Sequence, residues 1–281
     1  MRLVDAHKRG RERKTRERPT MYVYLVRHAQ SENNALTEPG LHNPSRRADP
    51  GLTRKGEAQV RALERRFAEF VASSSGTTGV EIWTSCMRRC LLTTEGIVRG
   101  AGTRARCAPA LHEHGGCFEG ARGARGVVGR RGMTKDEIED AFEGIDAPEE
   151  IKDGWWDPAR GCESVRDAQT RGAEVARWLW DKARAMREGA ATKADVVLVS
   201  HGMFIDILLK TLFDAPRTTG KQGALFCSQN ACVHKLHFDV AEDGESVGMQ
   251  FFNDVTHVPM DVRSGGSVDG LSEAYTKEGS A

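Results

Sequence analysis

The chain alternates short apolar runs with longer segments in which apolar residues recur every three or four positions. Met21-Tyr-Val-Tyr-Leu-Val26 is a β-branched and aromatic run that stops abruptly at Arg27-His28, the profile of a buried strand delivering polar residues at its C-terminal end. From Leu52-Thr53 a helical pattern opens, with Val60, Leu63, Phe67 and Val71 on one stripe and Ser73-Ser-Ser-Gly76 ending it. The unit then repeats. Val80 to Thr84 reads as a strand and Leu91 to Val98 as a helix that stops near Gly100 and Gly102, with Arg104 to Ala108 as a short third strand. Ser164 caps a long helix through Val165, Ala168, Val175, Leu179 and Met186, and Gly189 follows it. Val196 to Ser200 is a continuous apolar strand running into His201-Gly202 and a helix to Leu212. Cys232 to Phe238 and Val247 to Phe252 read as late strands around an Asp243-Gly244 turn.

Strands alternating with helices predict an α/β protein, a three-layer α/β/α sandwich with a mainly parallel central sheet covered on both faces. Residues 115–160 are rich in Gly and charge and poor in long apolar runs. They read as an excursion from the sheet, an inserted cap with one modest helix near Thr134 to Phe142. The body then spans 21–260, between a basic, disordered arm over 1–20 and a flexible tail over 261–281.

At 281 residues the chain can bury a sizeable core. Its net charge of +1 argues against nucleic acid or an anionic membrane as a partner, and no run is long and apolar enough to span a bilayer. The sum hides an asymmetry: the first twenty residues hold eight Lys/Arg and three Asp/Glu, so the rest of the chain carries −4. Seven Cys with no metal-type C-x-x-C pair fit a reducing compartment, and a cytoplasmic location is expected. Organelle targeting by the arm is the lesser alternative, since Glu12 and Glu17 spoil its acid-poor character. The oligomeric state is not legible.

Two predicted strands end in a histidine, at Leu25-Val26-Arg27-His28 and Leu198-Val199-Ser200-His201. Open α/β sheets bind ligands at the carboxyl ends of their strands, which places both imidazoles on one rim. Arg27-His28-Ala29-Gln30-Ser31-Glu32-Asn33-Asn34 resembles the Arg-His-Gly signature of the histidine phosphatase superfamily, the phosphoglycerate mutase-like proteins. Further motifs follow in that family's order: Leu52-Thr53 with Gly56 and Gln59, Ser85 to Thr94 with Arg89 at the arginine, Leu111-His-Glu113, Gly161-Cys-Glu-Ser164 with Arg171 downstream, Ser200-His201-Gly202, and Asn253 to His257.

The resemblance implies a phosphoglycerate mutase-like fold and a metal-independent phosphatase without a cofactor, acting on a small phosphorylated substrate or a phosphoprotein through a phosphohistidine on His28. Arg27 and Arg89 match a phosphoryl group bidentately, and their charge keeps His28 neutral and nucleophilic. His201, protonated, donates to the phosphoryl group, with Ser31, Asn34 and Gly202 as further phosphate-binding positions. Glu113 is the candidate proton donor and acceptor, and Glu119 the second candidate because the loop between them departs from the family's commonest length. Arg88 is the fallback for Arg89, since Cys86 and Leu92 replace residues usual in that segment.

The rival readings are a cofactor-dependent phosphoglycerate mutase and, from another class, an inactive binding member. Arg130-Arg131 lacks the proline-rich stretch of the mutases, and retention of Arg27, His28, Arg89, Glu113 and His201 together favours catalysis. Arg122, Arg125, Arg130, Arg131 and Lys135 are either a solvated surface or a subsite for a second acidic group, with Arg130 and Arg131 the specificity candidates. Trp155-Trp156 reads equally as lid or core. His112, His114 and Cys117 lack a fourth partner for zinc, and Cys86 and Cys90 read as inert core thiols.

Overall fold

In a computed structural model, which describes residues 20–36, 43–73, 79–120, 127–191, 194–215, 223–268, 271–272 and 275, the apolar runs assemble into one mixed sheet. In chain order the elements are β1 (Met21–Arg27), α1 (Arg54–Ser73), β2 (Gly79–Thr84), α2 (Arg88–Ala101), β3 (Ala105–Cys107), β4 (Phe118–Glu119), β5 (Val128–Gly129), α3 (Lys135–Ala141), β6 (Ile145–Asp146), α4 (Val165–Glu188), β7 (Ala194–Ser200), α5 (Gly202–Leu212), β8 (Val233–Ala241) and β9 (Gly244–Asp254). The sheet order is β6-β3-β2-β7-β1-β8-β9. β6, β3, β2, β7 and β1 are parallel, and β8 and β9 join antiparallel beyond β1.

The periodicities account for the layers. β7 is buried along its whole length, as a continuous apolar run between two helical faces must be. One core, with Leu63, Phe67, Leu91 and Ile97, lies under α1 and α2; the other, with Val175, Leu179, Phe204 and Leu208, lies under α4 and α5. Trp178 and Trp180 belong to the second core, edge-on to Trp83 and Phe238. The parallel register sets Arg27 beside Ser200, so the two histidines that follow leave the sheet on the same rim.

Two sequence expectations are corrected. The 115–160 segment is not wholly an excursion, because Ile145 and Asp146 pair in parallel with Ala105 and Arg106 as the edge strand β6. That two-residue strand is too short to show a period. The tail is packed where it is described: Gln59 Nε2 donates to the Val262 carbonyl at 2.7 Å, and Tyr275 is buried with its hydroxyl bonded to Asp206 of α5. One aromatic ring among Gly, Ser and Glu leaves no pattern to read. The arm, apart from Thr20, and Arg122 and Arg125 of the cap lie outside the described residues.

α1 and α2 meet at two glycines one turn apart. A Cβ on Gly96 would lie 2.5 Å from Val60 Cγ1, and one on Gly100 would lie 2.2 Å from the Glu64 carbonyl oxygen. Helix propensity alone favours alanine at Gly100 by about 1 kcal/mol. The backbone contact reverses that sign: Gly100→Ala is expected to destabilise the fold by roughly 1–3 kcal/mol in urea unfolding. A stabilised variant would show that the two helices separate freely.

Candidate active site

His28 begins where β1 ends. Its backbone N–H still donates to Ser200 O at 2.9 Å, and its side chain turns onto the rim. Nδ1 lies 2.7 Å from the Ala29 carbonyl, which only accepts, so Nδ1 carries the proton. Nε2 is then a lone pair, and it accepts from Arg89 Nε at 3.2 Å. His28, Arg89 and His201 are 2%, 4% and 0% exposed, so their charges act with little water between them. Burial, then Arg89, then Arg27 hold the His28 imidazole well below its ordinary titration range, and it is neutral at cellular pH.

The two arginines bring donors that have no partner among the described residues. Arg27 Nη1 donates to Ser228 O at 2.5 Å, while its Nε is buried without a partner. Arg89 Nη1 is likewise buried and unpartnered. Gly202 makes room for this packing, since a Cβ there would sit 3.2 Å from Arg27 Cζ.

His201 differs from its expected state. Burial, Arg89 and His28 push its pKa well down, so it is neutral rather than protonated; Nε2 lies 2.9 Å from Ser85 Oγ and 3.4 Å from Cys90 Sγ. The His28 and His201 ring centroids are 5.1 Å apart. Cys86 and Cys90 are buried free thiols, and burial raises the pKa of both.

The loop from His28 to Asn34 is shaped by the motifs around it. Ala29 N donates to Thr93 Oγ1 at 3.0 Å, and Gln30 N to the buried Gln59 Oε1 at 2.8 Å. Thr53 caps the start of α1 by accepting from Gly56 N, and it donates to Gln30 Oε1 at 2.8 Å. Ser31 and Asn34 form a reciprocal cap on a 3₁₀ turn. Asn34 Oδ1 accepts from Ser31 and Asn230, which leaves its amide nitrogen as the remaining polar atom.

Glu113 sits at the start of α5. Oε1 accepts from His114 N at 2.9 Å and Phe204 N at 3.1 Å, and Oε2 lies 3.5 Å from Met203 N. Its loop is held from behind by Arg171, which forks onto Glu163 at 2.9 and 2.6 Å and donates to the carbonyls of Ala110 and His112. Trp155 and Trp156 are buried against His112, so they are core rather than lid. Glu119 stands apart, half-exposed on the β4–β5 ribbon and 2.6 Å from Arg130. Arg131 pairs with Glu137 at 2.8 Å. Both specificity candidates are therefore already matched by carboxylates.

Sequence comparison supplies the deciding observation: the profile of the histidine phosphatase superfamily (branch 1) matches residues 23–247. The chain belongs to the histidine phosphatase superfamily. No curated protein sequence matches it. Among solved structures it is similar to a mycobacterial hydrolase, with TM-score 0.51, 19% identity, and 84% of this chain and 99% of that one covered. It is also similar to a mycobacterial glucosyl-3-phosphoglycerate phosphatase in complex with VO3, with TM-score 0.50, 20% identity, and coverage of 83% and 99%. An α-ribazole phosphatase from Shigella flexneri gives TM-score 0.47, 15% identity, and coverage of 83% and 96%.

Within this superfamily fold, the structure brings together Arg27, His28, Arg89 and His201, with Ser31 and Asn34 in the adjoining loop and Glu113 and Gly202 at the α5 N-terminus. Three further residues support the site; Asn253 begins the closing motif, while Asn230 and Arg46 are not singled out by the sequence. Asn230 Nδ2 donates to the His28 carbonyl at 3.1 Å, and Asn253 accepts from Gln229 N at 2.7 Å. Arg46 is buried beneath the cap, donating to Phe118 O at 2.7 Å and lying over the Phe118 ring. Only the polar Ser228-Gln-Asn230 stretch before an apolar strand hinted at Asn230.

Burial opposes the Glu163 charge, but His112 and Arg171 outweigh it and hold Glu163 down to about 2. A carboxylate depressed below its unfolded value stabilises fully above about pH 4.5, and that contribution is lost as pH falls toward 2. Arg171→Met removes the guanidinium partner of this buried charge, and is expected to destabilise by roughly 3–5 kcal/mol at pH 7. Its urea midpoint should rise as pH falls from 7 to 5, a range over which the parent keeps its full Glu163 contribution. A parallel pH dependence would show that Glu163 is not held by Arg171.

Proposed function

We propose that the protein is a metal-independent phosphatase that hydrolyses phosphate monoesters through a phosphohistidine on His28. The observation that carries this reading is the neutral His28, its Nε2 lone pair facing Arg89 and the Arg27 charge acting on the same ring, each guanidinium with an enclosed N–H that has no partner among the described residues. A phosphoryl group carries close to two negative charges, and Arg27 and Arg89 supply the matching donors from the protein's own side chains.

In the first step His28 Nε2 attacks phosphorus, the P–N bond forms, and the ester P–O bond breaks as the leaving oxygen takes a proton from Glu113. In the second step water attacks phosphorus, Glu113 takes its proton, and the P–N bond returns its electron pair to Nε2. His201 serves as a neutral hydrogen-bonding group beside the phosphoryl site. Hydrolysis is favoured over mutase chemistry because Arg130 and Arg131 are engaged by Glu119 and Glu137, and so present no free pair to a second phosphate.

Purified protein assayed with chelator present on p-nitrophenyl phosphate and alkyl phosphates should hydrolyse them and form an acid-labile phosphoenzyme. His28→Ala is expected to lose at least about 10³-fold in rate and all phosphoenzyme. Interconversion of phosphoglycerates with bisphosphoglycerate well above hydrolysis would overturn the reading. Glu113→Gln should lose roughly 10²–10³-fold on alkyl esters and less on p-nitrophenyl phosphate, whose leaving group needs no proton. Equal losses on both would remove Glu113 from the acid role. Because the His28 pKa is pushed down, kcat/KM should show no fall near pH 6.5 as pH is lowered from 8 to 6.

A further inference from the structure

We infer that His234 is a positioning residue: from the second position of β8 it sets the Arg27 guanidinium for the phosphoryl group, acting through Ser228. The inference rests on the phosphatase reading above and gives a role to a buried histidine that no motif includes.

β8 and β9 fall out of register at this point. Val233 lies opposite Asp254 and Lys235 opposite Phe251, so one β8 residue, His234, faces two on β9, Phe252 and Asn253. Such a β-bulge re-aims the residues it displaces, and it holds Asn253 at φ +52°, in the left-handed region that asparagine tolerates. The Asn253 backbone N–H donates to His234 Nδ1 at 3.0 Å, and the Phe252 ring packs on the same imidazole with centroids 4.6 Å apart. A backbone N–H only donates, so Nδ1 holds the lone pair. Burial takes the His234 pKa down to about 4, so the ring is neutral at cellular pH and its one proton is on Nε2. Nε2 therefore donates to Ser228 Oγ at 3.0 Å, with Cys232 Sγ 3.3 Å from the same nitrogen.

The stretch Ser228-Gln229-Asn230 is thus held at two points, by His234 at the Ser228 hydroxyl and by Asn253 Oδ1, which accepts from Gln229 N at 2.7 Å. Its other atoms face the site. Ser228 O accepts from Arg27 Nη1 at 2.5 Å, and Asn230 Nδ2 donates to His28 O at 3.1 Å. A guanidinium is a rigid plane, so fixing Nη1 on Ser228 also fixes the direction of the Arg27 Nε–H, the enclosed donor without a partner among the described residues. His234 and Ser228 are 0% and 3% exposed, so water does not replace a bond lost between them.

Titration of the protein with inorganic phosphate in a calorimeter, and kcat/KM on p-nitrophenyl phosphate, test this. His234→Phe keeps a buried ring and loses both bonds, whereas Ser228→Ala keeps the carbonyl and loses only the hydroxyl. Each should weaken phosphate binding about tenfold. His234→Gln, whose amide offers one acceptor and one donor, should stay within about threefold of the wild type. Arg27→Met retains Arg89 and His28, and adding His234→Phe to it should cost less than about twofold in kcat/KM, since nothing is left to position. General damage to the fold would instead cost its full factor again. Where His234→Phe does not fold, Ser228→Ala takes its place in both arms. Phosphate affinity unchanged in Ser228→Ala, a Gln variant no better than the Phe variant, or the full loss repeated on top of Arg27→Met overturns the inference. p-Nitrophenyl phosphate separates the two levels: if the wild type fails to hydrolyse it, or hydrolysis survives His28→Ala, the phosphatase reading fails and this one with it.

Discussion

The structure turns on the Arg89 guanidinium, buried beside a neutral imidazole, and on the half-buried Arg27, whose Nε is enclosed. Enclosed cationic donors are costly, and among the described residues Arg27 Nε and Arg89 Nη1 have no hydrogen-bond partner. Such an arrangement persists only if the surroundings over-determine it, and they do. Arg27 is pinned by the Ser228 carbonyl and by the close approach of Gly202, and Arg89 by His28. Burial first, and then the Arg89 charge, lower the pKa of both histidines. The open donors are where stability is given up locally.

Around that centre, each bracing contact links segments far apart in sequence. Gln59 ties the loop after β1 to the residues after β9, and Asn230 ties His28 to Ser264. Ser200 Oγ donates to Leu111 O, joining β7 to the loop that carries Glu113. The Glu113 loop and the His28 loop are thus fixed to the sheet separately. Their meeting at the α5 N-terminus is a product of sheet register rather than of direct contact.

Much of this was legible in the residues. β1 and β7 announced themselves as apolar runs ending in histidine, and the parallel pairing of such runs sets both ends on one rim. Gly56 and Gln59 looked like a helix start, and the contacts explain both: a Cβ on Gly56 would lie 2.2 Å from the Gln30 carbonyl oxygen, and Gln59 bonds Gln30, Val262 and Ser264. What stayed hidden has a common physical cause. β6 is too short for any periodicity, and Arg46 looks like any surface arginine until Phe118 covers it. Asn230 acts across 202 residues, a separation that local pattern cannot encode. The neutral state of His201 and the pairing of Arg130 with Glu119 depend on burial and partners that only the fold assembles. The packed Tyr275 likewise sits in a stretch whose composition reads as loose.

The antiparallel return of β8 beside β1 has a consequence for the order of events during synthesis. His28 emerges early, but its carbonyl bonds to Asn230, its arginine neighbour leans on Ser228, and Gln59 waits for Val262 and Ser264. Contacts closed over such long loops form late and slow folding. A growing chain therefore carries His28 without the frame that encloses it until β8 and β9 have been made. The site is complete only after those strands have left the ribosome.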